Sequence, residues 1–104
     1  ETVDQESNIL HAVVYGKVQG VGFRVFVRQA AQKLGCTGWV RNLPDGTVEV
    51  YAYAESEITL TELLTELYKG PPWSHVSDID VKWKNTKTSG ENEDSHNHGF
   101  RIVR

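Results

Sequence analysis

The chain has 104 residues, 38% of them hydrophobic and 24% charged, enough for one domain with one core layer between a sheet and a few helices. Its formal net charge of -3 argues against a general nucleic-acid binder, which needs a concentrated basic surface to displace counterions, so any anion site has to be local. A single cysteine, Cys36, excludes an intrachain disulfide. No apolar run approaches the roughly 18 residues of a membrane span, and with Cys36 this points to the reducing cytoplasm.

Residues 1–8 are polar, lack an initiator Met and are expected to be loose, leaving residues 9–104 as a single domain. The apolar, β-branched run over residues 9–15 reads as a buried strand closed by Gly16. Gly16, Gly20 and Gly22 then punctuate a short loop in which backbone N–H groups can point outward together. Phe23, Phe26, Val27, Ala30, Ala31 and Leu34 recur at helical spacing, and Gly35 stands where a C-terminal cap belongs, so the pattern predicts a helix over 23–34. Cys36 reads as a small packing residue at the start of the next strand.

Residues 37–42 and 47–53 flank Leu43, Pro44, Asp45 and Gly46, whose turn chemistry makes a hairpin. Leu60, Leu63, Leu64 and Leu67 form one apolar stripe, Thr59 with Glu62 fits a capping box, and Gly70 with Pro71 ends the run, which predicts a helix over 59–69. Ile79, Val81 and Trp83 alternate with Asp78, Asp80 and Lys82 in a half-buried strand. After a polar, loop-like stretch over 85–98, residues 100–103 supply a last short strand. The order is that of a split β-α-β plan: an α+β, ferredoxin-like sandwich with two helices on one face of an antiparallel sheet of four to five strands. That architecture hosts many functions and names none.

Topology nevertheless brings two features together. A crossover helix makes the first two strands parallel, so their C-terminal ends share one edge of the sheet. The glycine loop leaves the first strand there, and Asn42 ends the second about two strand spacings away, roughly 10 Å. Arg24 falls in the first helical turn, where the macrodipole is already positive and a cation costs about a few tenths of a kcal/mol. A phosphate would satisfy the guanidinium and the free N–H groups at once, and the planar fork of Arg suits two neighbouring phosphate oxygens. The loop is neither the lysine-ending phosphate loop nor the dinucleotide fingerprint, so ATP and NAD are not indicated. Spacing alone does not separate this anion pocket from a solvated arginine beside a tight turn.

The succession Gly16, Lys17, Val18, Gln19, Gly20, Val21, Gly22, Phe23, Arg24 resembles the signature of the acylphosphatase family. Residues 38–49, with Trp39, Asn42, Pro44 and Gly46, resemble its second signature, and Gly70, Pro71, Phe100 and Arg101 are similar to its later landmarks, so the likeness covers about residues 9–103. It implies a ferredoxin-like fold and hydrolysis of the carboxyl–phosphate bond of small acyl phosphates. It further implies Arg24 as the phosphate binder and Asn42 as the residue orienting the attacking water. Backbone N–H groups of Gln19, Gly20, Val21, Gly22 and Phe23 would hold the phosphate, their side chains mattering less than their conformation. No cofactor, metal, nucleic acid or membrane is implied; inorganic phosphate is expected as product and competitive inhibitor, and the chain is expected to be a monomer. Two departures, residues 53–55 where relatives carry a glycine and the long polar stretch over 85–98, lie away from both signatures.

The other chemistry-bearing residues have plainer readings. His96 and His98 lack a third ligand at a fixed spacing and fit a solvated loop better than a metal site. His11 and His75 read as packing or surface residues, Glu55, Glu57 and Glu62 as a solvated helix face, Trp39 and Trp83 as filling the core or its edge, and Trp73 as partly exposed. Tyr51 and Tyr53 share a strand face and would suit an RNA-binding module, but the acidic balance and the lack of an aromatic–basic string weigh against it. Acylphosphatase-like domains also open larger carbamoyl-transfer maturation proteins; the chain's length favours the stand-alone enzyme.

Overall fold

Strand alternation divides the first element, β1 (Ile9–Lys17), into a face with Leu10, Ala12 and Val14 fully buried and a face with His11, Val13 and Tyr15 nearer solvent. A computed structural model of the chain describes residues 7–85 and 99–104. Six further elements follow: α1 (Phe23–Leu34), β2 (Thr37–Asn42), β3 (Val48–Tyr53), α2 (Glu57–Lys69), β4 (His75–Lys84) and β5 (Phe100–Ile102). The strands form one sheet in the order β4-β1-β3-β2-β5. Helix α1 packs on β2 and β5, α2 on β4 and β1, and the two helices on each other. The ferredoxin-like α+β fold is thus observed.

Between the layers, Val27 and Ala31 of α1 and Leu60, Leu63 and Leu67 of α2 are fully buried against Val14, Val40, Val48 and Val50 of the sheet. Burying each Val or Leu is worth about 1.5–3 kcal/mol, so this layer dominates stability. Cys36 belongs to it as a packing residue, and burial pushes its thiol up to about 11. Among the described residues no helix is long and apolar enough to cross a membrane.

The fifth strand pairs in parallel with β2, Phe100 beside Gly38 and Ile102 beside Val40, so the sheet is mixed where an antiparallel one was expected. The reason is direction. β4 runs antiparallel to β1 and ends at the edge opposite the glycine loop, so a strand that begins at that edge must run alongside β2. Helix α2 begins at Glu57, earlier than expected, because Ser56 is its cap: Ser56 Oγ accepts the Ile58 N–H at 3.2 Å. No buried apolar position marks a start before Leu60, since Ile58 is 69% exposed. β1 and β4 also run further than the alternation suggests, because a bulge between Tyr15 and Gly16 restores pairing of Gly16 with Val76 and Lys17 with His75.

The register puts Trp83 on the helix side of edge strand β4. Trp39, expected in the core or at its edge, lies instead on the open face, stacked on Tyr51 with ring centroids 5.6 Å apart. Arg41 lies over the Trp39 ring and also pairs with Glu49 at 2.7 Å. These rings and this cation are therefore engaged with one another. Asn8 extends the sheet, donating to Lys84 O and accepting from Ala54 N–H, both at 3.1 Å. His96 and His98 lie outside the described residues.

Candidate active site

The loop between β1 and α1 owes its shape to two glycines. Gly20 has φ 76° and Gly22 φ 80°, in the left-handed region that favours glycine, and a β-carbon at either would meet no other described atom within 4 Å. Conformation demands glycine here and crowding does not, so the space beside the loop is open to a ligand. Helix α1 then starts without a side-chain cap or an acidic residue in its first turn. Its first backbone bond is Phe26 N–H to Gly22 O at 3.1 Å, which leaves the N–H groups of Phe23, Arg24 and Val25 without partners in the helix. The Arg24 side chain, half-buried, has no hydrogen bond or ion pair among the described residues.

Asn42 closes β2 on the helix side of the sheet, in register with the buried Val48. Its Oδ1 is buried with no hydrogen-bond partner among the described residues. An acceptor held so costs about 1–3 kcal/mol unless something donates to it, and the broad χ2 of Asn lets the amide turn toward a donor. The turn after it is tightly braced. Asp45 Oδ1 accepts the Thr47 hydroxyl at 2.6 Å and the Thr47 N–H at 3.1 Å, while Leu43 N–H donates to Thr47 O at 2.9 Å. The hydroxyl and then the N–H of Thr47 hold the Asp45 carboxyl below its ordinary value.

These parts meet around a cavity of about 220 Å³ at the edge of the sheet. Of the residues expected at the site, Gly20, Gly22, Phe23, Arg24 and Asn42 line it. Gln19 and Val21, expected to contribute through their backbone N–H groups, have side chains directed elsewhere: Val21 packs against the core and Gln19 turns to the β2–β3 turn. Val18, Val25, Ile102 and Arg104 also line the cavity and were not expected. The direction of β5 brings the last two there, a signal available only once that strand is paired with β2. A larger groove of about 720 Å³ lies between the helices, but Lys33, Glu62 and Glu66 give it mixed charge and neither the loop nor Asn42 reaches it. The smaller cavity is the one where the start of α1, Arg24 and Asn42 converge. Among the described residues no cluster of His, Cys, Asp or Glu could hold a metal ion.

An α+β sandwich that sets open helix-start amides, an arginine with no partner among the described residues and an asparagine amide at one end of its sheet is of the class able to receive an anion there. Comparison with known proteins makes the class specific. The family model described as acylphosphatase matches residues 10–102. An acylphosphatase of Acaryochloris marina is 58% identical over 69% of this chain and 76% of its own, and one of Thermococcus kodakarensis 42% identical over 89% and 92%. The crystal structure of acylphosphatase from Bacillus subtilis superposes with a TM-score of 0.80 at 38% identity, covering 92% of this chain and 98% of that one. The chain belongs to the acylphosphatase family, whose members are hydrolases acting on acid anhydrides.

Proposed function

We propose that the chain hydrolyses the carboxyl–phosphate bond of small acyl phosphates in the cavity between the glycine loop and Asn42. The observation that carries this is the shared wall: Arg24, its neighbours Phe23 and Val25 at the start of α1, and Asn42 line one cavity of about 220 Å³. The phosphoryl group sits against the Arg24 guanidinium and the loop N–H groups, which stabilise charge on its equatorial oxygens. Asn42 accepts a hydrogen bond from water through Oδ1 and holds a substrate oxygen through Nδ2. Val18, Val25 and Ile102 offer the acyl part an apolar wall.

The water oxygen forms a bond to phosphorus, the bond from phosphorus to the acyl oxygen breaks, and the electron pair leaves on the carboxylate. One water proton passes to a phosphate oxygen. The leaving group resembles a Glu carboxylate, with a pKa of about 4.3, so it departs without a proton from the enzyme. The remaining barrier is one of positioning and charge, which preorganised donors can lower. Inorganic phosphate is the product and should compete for the same donors. We take the chain to act as a monomer in the cytoplasm, a setting that suits its buried, unpaired Cys36.

Steady-state hydrolysis of benzoyl phosphate, with EDTA present and inorganic phosphate titrated, tests the reading. Turnover that survives EDTA and is inhibited competitively by phosphate is expected. No turnover above the uncatalysed rate would overturn it.

A further inference from the structure

The Gln19 side chain makes two contacts that a phosphate-binding backbone does not require. Its Nε2 donates to Leu43 O and to Thr47 O, each at 2.8 Å. Both carbonyls belong to the turn that directly follows Asn42, and Thr47 O also accepts the Leu43 N–H that closes this turn. The glycine loop leaves β1 and Asn42 ends β2, two strands that are not neighbours, since β3 lies between them. Among the described residues, the two Gln19 bonds are the hydrogen bonds that join residues 18–22 to residues 43–47. We infer that Gln19 is a positioning residue, whose amide fixes the loop that holds the phosphate against the turn that carries Asn42 and so sets the line along which water meets phosphorus.

This inference rests on the function proposed above. The residue type suits it, because the Gln amide puts two donors on one uncharged terminal atom with this reach. Glu offers no donor when ionised, and Asn is one methylene shorter. The contact also has leverage, since an error of about 1 Å in the approach of reacting atoms can cost roughly 100-fold in rate.

The experiment is benzoyl phosphate kinetics with inorganic phosphate as inhibitor, on Gln19→Leu, Asn42→Ala, the double variant and Gln19→Glu, each checked for folding by circular dichroism. Gln19→Leu should lower kcat by roughly 10- to 100-fold while the phosphate inhibition constant moves by less than about threefold, because Arg24 and the loop amides are untouched. In the Asn42→Ala background the same substitution should cost less than about threefold, since the group it positions is gone. Gln19→Glu faces two carbonyl oxygens as an acceptor; its activity relative to the parent should rise as pH falls through its carboxyl pKa, because the protonated acid donates one bond. This arm holds if the Leu variant fails to fold. A parent that turns over while Gln19→Leu keeps its kcat overturns the inference, as does an equal loss with and without Asn42, or a Gln19→Glu profile parallel to the parent. A parent without turnover defeats the proposed function instead.

Discussion

Two arginines show what a residue's surroundings decide. Arg41 is committed to Glu49 at 2.7 Å and to the face of Trp39, whereas Arg24 has no such partner among the described residues and lines the cavity. A planar fork can grip two phosphate oxygens that an ammonium meets one at a time, so Arg24→Lys should lose roughly 100-fold or more in kcat/KM despite keeping its charge. On the proposed function Asn42→Ala should instead lower kcat by roughly 100-fold and leave phosphate inhibition nearly unchanged, because that reading assigns it the water and not the phosphate charge. Near-normal benzoyl phosphate hydrolysis by either variant would count against that residue's role. Arg24 breaks a helix-dipole preference and Asn42 ends a strand whose direction follows from topology, but what singled them out with roles in the sequence was the resemblance to the two acylphosphatase signatures. The Gln19 side chain did not stand out, because its partners are backbone carbonyls 24 and 28 positions away, which no local pattern encodes.

Elements carry a sharper comparison, between the two ends of α1. Gly22 before the helix and Gly35 after it share φ 80° and ψ 18°, and at both a β-carbon would meet no described atom within 4 Å. Substituting Ala therefore imposes the same strain at each, about 1–2 kcal/mol by urea unfolding. Only Gly22 lines the cavity, so Gly22→Ala should also raise the phosphate inhibition constant and depress kcat/KM, while Gly35→Ala should leave kinetics as they were. Equal kinetics in the two variants would remove the loop from the site. Helix α2 allows a second test. The sequence offers Thr59 with Glu62 as a capping box, and with Ile58 exposed no buried apolar position marks a start before Leu60, so the cap at Ser56 was hidden. Ser56→Ala should cost about 1 kcal/mol and Thr59→Ala less than about 0.5 kcal/mol, both without effect on turnover.

At the scale of the whole molecule, chain direction decides what reaches the site, and charge decides when the sheet holds. The helix periods and the hairpin were legible because each is a local pattern. The parallel pairing of β5, and with it the arrival of Ile102 and Arg104 at the cavity, follows from where β4 ends, which is a property of the assembled sheet. Glu49 is likewise an assembled feature: from β3 it meets His11 of β1 and Arg41 of β2, each at 2.7 Å, across three strands. Burial raises its carboxyl pKa, but the hydrogen bonds and charges of His11 and Arg41 outweigh burial and hold it below its ordinary 4.5. Asp45, held down by Thr47 at the turn beside Asn42, adds to the same effect below its ordinary 3.8. Near these values the unfolded chain binds more protons than the folded one, so the contribution is complete above about pH 5 and is lost as pH falls through the depressed folded values. Urea unfolding should therefore give nearly constant stability from about pH 7 to 5 and a decline toward pH 3. Glu49→Gln should start less stable at pH 7 yet decline less steeply, because the substituted amide no longer takes up a proton; parallel curves for parent and variant would show that the three-strand contact contributes nothing to acid sensitivity.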